Sequence, residues 1–372
     1  MGKSAGDFVS HFSIIRDPRI ERTKLHKLES ILFIAVCAVL CGIESWEGME
    51  EFGEGRKEWL AKYVDLRNGI PSHDTFGRLF AQLGPQEFEK SFLSWIQGVY
   101  QKTEGEVVAI DGKTVRGSRH GRIGQSPLHL VSAWASTNHL WLGQVETEEK
   151  SNEIEAIPRL LKILDLKGCI VTIDAMGCQT EIAKEIQDKG ADYVLALKGN
   201  QGTLHEDVKQ YWEDPKLPEK EYQEYQTTDK GHGRLEIRKY RVSDQIQWLE
   251  PRKDWKGLRS IVEVESQRQI GEQNTVERRY YLTSLKADAK EVAKAIRAHW
   301  EIENKAHWCL DVTFGEDHST VRIKQAARNF ALLRRLAMNM LRKETSVKKS
   351  LNMKRHRAVL RTEYLELVLA IN

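Results

Sequence analysis

The sequence predicts an α/β protein: a mixed sheet core, an N-terminal helical domain before it and a β-rich insertion within it. Three observations predict this. Apolar residues in the first hundred positions recur at helical spacing. From Glu106 short runs rich in β-branched residues alternate with helix-length amphipathic stretches. Past Gly199 that rhythm gives way to alternating strand-like segments, and helical spacing resumes at Asp288.

Taken in order, residues 25–41, 49–64, 75–83 and 88–100 read as helices, with Ser72 as a cap after the turn Asn68-Gly69. Residues 107–110 (VVAI) form a buried strand that stops at the turn Asp111-Gly112. Strands at 129–135 and 140–145 complete an antiparallel meander through the polar turn at 136–138. A helix at 153–164, a strand at 169–173 ending at Asp174, a helix at 180–189 and a strand at 193–197 follow. The order βββαβαβ is that of an RNase H-like core, three antiparallel strands and then parallel strands reached through helical crossovers. Segments 235–242, 259–265 and 279–285 read as strands of the insertion. Asp288-x-x-Glu291 has the form of a capping box, opening a helix that runs at least to His307. A long helix at 323–343 precedes a basic stretch, read as a solvated face or a nonspecific phosphate contact. The expected units are 1–105, helical; 106–198, the first part of the core; 199–286, the insertion; 287–345, core helices; and 346–372, the basic tail.

Composition excludes little beyond disorder and a disulfide scaffold. Of the 372 residues 40% are apolar and 30% charged, a globular balance, and the net charge of +3 leaves any nucleic-acid surface to local clustering. Five scattered cysteines without a CxxC pair point to a reducing, cytoplasmic compartment. The apolar run 31–43 is too short to span a bilayer and reads as a buried helix, so no membrane partner is expected.

Asp111 and Asp174 each follow a predicted buried strand, on the first and fourth strands, so both would stand at one rim of the sheet. Either Asp alone could simply open a turn. A third carboxylate should come from the helix after Asp288, which offers Glu291, Glu301 and Glu303. At about 100° per residue Glu303 falls within about 20° of Val292 and about 60° of Trp300, inside the apolar stripe, whereas Glu301 falls outside it. A buried carboxylate there calls for a cation, either a basic side chain or a metal. Three carboxylates at one point suit Mg²⁺ or Mn²⁺, and two such ions about 4 Å apart drive in-line phosphoryl chemistry. No Ser or Cys nucleophile is then required.

The segments 109–118 (AIDGKTVRGS), 150–154 (KSNEI), 172–179 (TIDAMGCQ), 197–201 (LKGNQ), 231–234 (GHGR) and 297–304 (RAHWEIEN) resemble the ISAs1 family of insertion-sequence transposases, which includes the H-repeat-associated proteins. The resemblance runs nearly end to end, taking in the N-terminal Asp17-Pro-Arg-x-x-Arg-Thr-Lys24 and residues 307–314 (HWCLDVTF). It implies a DDE transposase related to the IS4 group, with Asp111, Asp174 and Glu303 as the catalytic, metal-holding trio and two Mg²⁺ or Mn²⁺ ions as cofactors. The IS4 pattern of Tyr, Arg, Glu and Lys reads here as Ile296, His299, Glu303 and Leu310, so supporting phosphate contacts are expected from His299, Asn304 and His307 instead. The partners implied are double-stranded DNA, both terminal inverted repeats and target, bound by a homodimer. Two other readings share the same residues: a catalytically silent DNA-binding regulator, and an RNase H-like nuclease without strand transfer.

Lys113 and Arg116 after the first Asp, and Lys198, Asn200 and Gln201 after the fifth strand, would line the same rim and suit phosphate oxygens, against the alternative of solvated loop charge. Arg234 could reach DNA from its glycine-flanked motif, which equally well forms a hairpin turn. In the N-terminal domain, His73, Thr75 and Arg78 would be displayed by a recognition helix, or that helix only packs.

Overall fold

A computed structural model describes residues 10–119, 124–147, 152–231 and 233–369. Lys150, Ser151 and His232 of the motifs above lie outside them.

Five helices come first: α1 (Leu28–Leu40), α2 (Trp46–Gly55), α3 (Lys57–Leu60), α4 (His73–Gln82) and α5 (Pro85–Val99). α1 is apolar all round and is accordingly buried on nearly every side. Its neighbours have one apolar face each. Among the described residues no helix is long and apolar enough to cross a membrane. The five cysteines are free thiols, four of them buried. Ser72 precedes α4 without capping it; Glu50 of α2 accepts from the His73 backbone N–H at 2.8 Å and does that work.

The core follows as β1 (Val107–Val115), β2 (Leu128–Ala135), β3 (Leu140–Thr147), α6 (Glu153–Ile163), β4 (Ile170–Ile173), α7 (Thr180–Asp188) and β5 (Asp192–Leu197). β1 pairs antiparallel with β2 and parallel with β4, and β4 pairs parallel with β5, which is the RNase H-like arrangement. Next come α8 (Thr203–Glu213) and the strands β6 (Gln223–Gly231), β7 (Arg234–Ser243), β8 (Ser260–Ile270) and β9 (Gln273–Thr283). β9 pairs antiparallel with β5, so the β-rich stretch extends the core into one nine-stranded sheet of order β3-β2-β1-β4-β5-β9-β8-β7-β6.

α9 (Ala289–His299) is capped by Asp288, which accepts from the backbone N–H groups of Lys290 and Glu291 at 2.9 Å. The expected continuous helix then breaks. A π-helical turn (Ile302–His307) leads into α10 (Trp308–Val312). α11 (Lys324–Lys343) runs between the sheet and the N-terminal helices: Asn329 donates to the carbonyls of Phe80 and Leu83, and Asn339 to that of Trp141. One hydrophobic cluster therefore includes residues from α1, α5, β1–β5 and α11. The basic C-terminal stretch is not simply solvated. It forms α12 (Leu351–Leu360) and α13 (Thr362–Leu369), and Lys354 and Arg355 are buried. Lys354 donates to the Leu341 carbonyl at 2.8 Å, and Arg355 to that of Val39 at 3.0 Å.

Candidate active site

β1 does not end at Asp111, as the Asp-Gly pair suggests, but runs on to Val115. What ends there is its pairing with β4: the last parallel partners are Ile110 and Ile173, while β2 stays paired along β1 to Val115. Asp111 and Asp174 are each the next residue after that last pair, so both stand where β1 and β4 part. Gly112 is a packing glycine rather than a turn glycine. A Cβ there would lie 2.6 Å from the Glu153 carboxyl carbon and 2.8 Å from His129 Nε2, whose mutual hydrogen bond of 2.7 Å is buried beneath the strand. Asp174 begins a short 3₁₀ turn and accepts from the Met176 backbone N–H at 3.0 Å.

Glu303 faces the two aspartates from the π turn. The three carboxylates line one cavity of about 510 Å³, together with Thr172, Lys198, Arg279, His299 and Trp300. Glu303 reaches it differently from the helical-wheel expectation. It is exposed, not inside a buried stripe, because α periodicity ends at His299 and the wider π turn re-aims the side chains beyond. Glu301, the rejected candidate, forms a 2.6 Å ion pair with Lys305.

Burial, then the negative charges of Glu303 and Asp174, push the Asp111 carboxyl up to about 7. His307 Nδ1 lies 3.5 Å from Asp111 Oδ2; the ring is buried, stacks on Trp141 at 5.6 Å, and burial with nearby Arg335 and Lys113 holds it well below the ordinary histidine range. His299 shares a 3.0 Å hydrogen bond with the Thr172 hydroxyl, and burial pulls it down to about 4. Burial thus favours the neutral form of both histidines.

The carboxylate oxygens that line the cavity are the donor type a hard divalent cation takes, and burial, then the charges of Glu303 and Asp174, raise Asp111. Among the described residues no group of three or more His, Cys, Asp or Glu side chains is placed so that it could hold a metal ion.

The remaining expected contacts divide into free and engaged groups. Lys198 is exposed at the cavity wall; Arg116, exposed by 82% of its side chain, has its Nε 3.8 Å from Asp317 Oδ2. Lys113 is not available for phosphate: its ammonium is buried and donates to Asp311 at 2.7 Å. Asn200 and Gln201 use their amides on the carbonyls of Ala175 and Cys178, at 2.8 and 2.6 Å, and so brace the Asp174 turn. Arg234 opens β7 just beyond the β6–β7 turn and lies in a neighbouring groove with Arg297 and Asn304. The Asn304 amide donates to the Trp300 carbonyl at 2.9 Å. In α4, His73 bonds Glu50 at 2.6 Å, Thr75 meets Ser72 at 3.1 Å, and Arg78 donates to the Asp74 carbonyl at 3.1 Å; none of the three lines the carboxylate cavity. Asp311 and Asp317, the partners of Lys113, escaped the sequence reading because each lies about two hundred residues from it.

Comparison with known proteins was consistent along the whole chain. Residues 102–340 match the family profile described as "Transposase DDE domain", and residues 9–96 match one described as "DDE_Tnp_1-associated". The chain is 43% identical over 371 residues to the protein named "Putative transposase YncI" of Escherichia coli O157:H7, covering 99% of this chain and 95% of that one. It is 40% identical to "H repeat-associated putative transposase YhhI" of Escherichia coli K12, covering 97% of each. Among solved structures, a piggyBac transposase synaptic complex with hairpin DNA matches with a TM-score of 0.45 and 12% identity, over 98% of this chain and 81% of that one.

Proposed function

The chain belongs to the DDE-domain transposases, and on that premise we propose that it cleaves and joins DNA phosphodiester bonds at the ends of an insertion sequence, with two Mg²⁺ or Mn²⁺ ions held by Asp111, Asp174 and Glu303. One observation carries this reading. Three carboxylates from two parting strands and a π turn face one cavity, where burial, then the charges of Glu303 and Asp174, push the Asp111 carboxyl up to about 7.

The ions, when bound, would activate the attacking water or 3′-hydroxyl and stabilise the leaving oxygen. The chain's own residues prepare for that. β1 and β4 fix the two aspartates on rigid sheet, while Asn200 and Gln201 hold the turn that Asp174 begins. His299 lines the cavity and His307 stands beside Asp111, and burial disfavours the charged form of both rings. In this reading Lys198 at the cavity wall and the exposed Arg116 would meet phosphate oxygens of the bound strand. The DNA partners in this reading are the terminal inverted repeats and the target duplex, bridged by a homodimer. Arg234, Asn304 and, from α4, His73, Thr75 and Arg78 are further proposed contacts.

Asp111→Asn, Asp174→Asn and Glu303→Gln, assayed on cognate ends with and without Mg²⁺, test the assignment. Each is expected to abolish cleavage and strand transfer while leaving end binding within a few-fold. A fully active Glu303→Gln protein would overturn the trio. Cleavage without joining would instead identify a nuclease, and end binding without either reaction a silent regulator.

A further inference from the structure

We propose that Lys113 is a positioning residue that sets the register of the Glu303 segment against the strand carrying Asp111. The inference rests on the reading of Asp111 and Glu303 as ligands of shared cations.

Lys113 stands two residues beyond Asp111 on β1, and strand alternation places both side chains on the same face of the sheet. Its ammonium donates to Asp311 Oδ1 at 2.7 Å and reaches Asp317 Oδ1 at 3.4 Å, and the side chain is only 8% exposed. Asp311 lies on α10, which continues directly from the π turn bearing Glu303. Asp317 also accepts from the Arg116 backbone N–H at 3.1 Å. One residue on, Gly117 lies against backbone: a Cβ there would come within 2.8 Å of Ser319 N and O and 2.9 Å of the Asp317 carbonyl.

Residues 113–117 and 311–319 are thus joined by a buried ion pair, a backbone hydrogen bond and a close backbone approach. Asp111 lies just before the first segment, and Glu303 is joined to the second through the rest of the π turn and the start of α10, which run on without a break, so the junction limits how far the two carboxylates can drift apart. A buried ammonium that lost its partners would be left uncompensated, which gives the junction one strongly preferred register. Ligand placement within a fraction of an ångström decides cation affinity, so this register is felt at the cation site.

The full-length chain is used, with Mn²⁺ as the probe, its affinity measured by calorimetric titration, and backbone hydrogen exchange of residues 302–312 measured without metal. Lys113→Met is expected to weaken Mn²⁺ binding by about 10- to 100-fold and to speed exchange across 302–312. Lys113→Arg, which keeps the charge, should recover most of both. If Lys113→Met fails to fold, Asp311→Asn, in which Asp317 still partners the ammonium, is read the same way and should show a smaller shift in the same direction. A folded variant of lower melting temperature with parental Mn²⁺ affinity and parental exchange at 302–312 would make the pair a plain stabiliser and overturn the proposal. Glu303→Gln, titrated in parallel, tests the metal reading on its own. Should it bind Mn²⁺ like the parent, that reading falls, and exchange alone decides whether Lys113 sets the register.

Discussion

At Asp111, burial and two facing carboxylates favour the protonated form, so the sign of its pH dependence follows directly. A carboxyl whose folded value is raised from 3.8 to about 7 contributes stability that is fully present below the unfolded value and is lost as pH rises toward 7. In metal-free protein this loss is on the order of a few kcal/mol. Thermal melts from pH 4 to 7 should therefore show Asp111→Asn gaining on the parent as pH rises, and added Mn²⁺ should erase the difference by stabilising the parent. Parallel pH profiles for the two proteins would show that the carboxyl is not under strain. His299 acts in the opposite sense: lowered to about 4, its contribution is present above 6.5 and declines as pH falls through 4.

Among the elements, β1 shows most clearly how a local feature is set by its neighbour. Gly112 lies over the hydrogen-bonded pair of His129 and Glu153, the latter at the first turn of α6, and leaves no room for a methyl group. Gly112→Ala should lower stability by about 1–3 kcal/mol through overpacking, read from denaturant melts. Because the closest clash is with the Glu153 carboxylate, with His129 Nε2 next, Gly112→Ala combined with Glu153→Ala should cost clearly less than the sum of the single changes. Strict additivity would place the strain elsewhere. The break of α9 into a π turn is the second such feature. Glu303 and His307 lie on that turn and face Asp111 because of it, a use of π geometry that recurs at functional sites.

At the level of the whole molecule, distant parts of the chain close on one another through buried arginines. Arg355 of α12 donates to carbonyls of Val39 and Thr313 and pairs with Glu44, which Arg334 of α11 also meets at 2.7 Å. In the same region Glu366 of α13 accepts from Trp59 Nε1 at 2.8 Å and from the Tyr63 hydroxyl at 2.7 Å. Arg355→Ala should cost about 3 kcal/mol, the lower end for breaking a buried pair, since Glu44 keeps Arg334. The loss should appear as a lower melting temperature and faster proteolysis of the N-terminal helices. Unchanged melting would mean that α12 is only loosely attached.

Periodicity and composition alone determined the helical start, the βββαβαβ order and the buried character of α1, because each depends on local apolar spacing. They also marked Asp111 and Asp174, since an acid directly after an apolar β-branched run is legible without any partner. Less came through where a signal was weak or unread. β6 has both faces largely exposed and so no alternation to follow, whereas α8 carries the helical spacing Leu204, Val208 and Trp212 inside a stretch read as β-rich. Tertiary structure decided the rest. An α-helical wheel places Glu303 in a buried stripe, but the π turn exposes it to the cavity. Lys113 looks like a phosphate contact until Asp311 and Asp317 come within reach of it, and Lys354 and Arg355 look solvated until backbone carbonyls of other helices enclose them. The physical reason is common to these cases: the destination of a charge depends on which distant groups fold against it, and no local spacing encodes that.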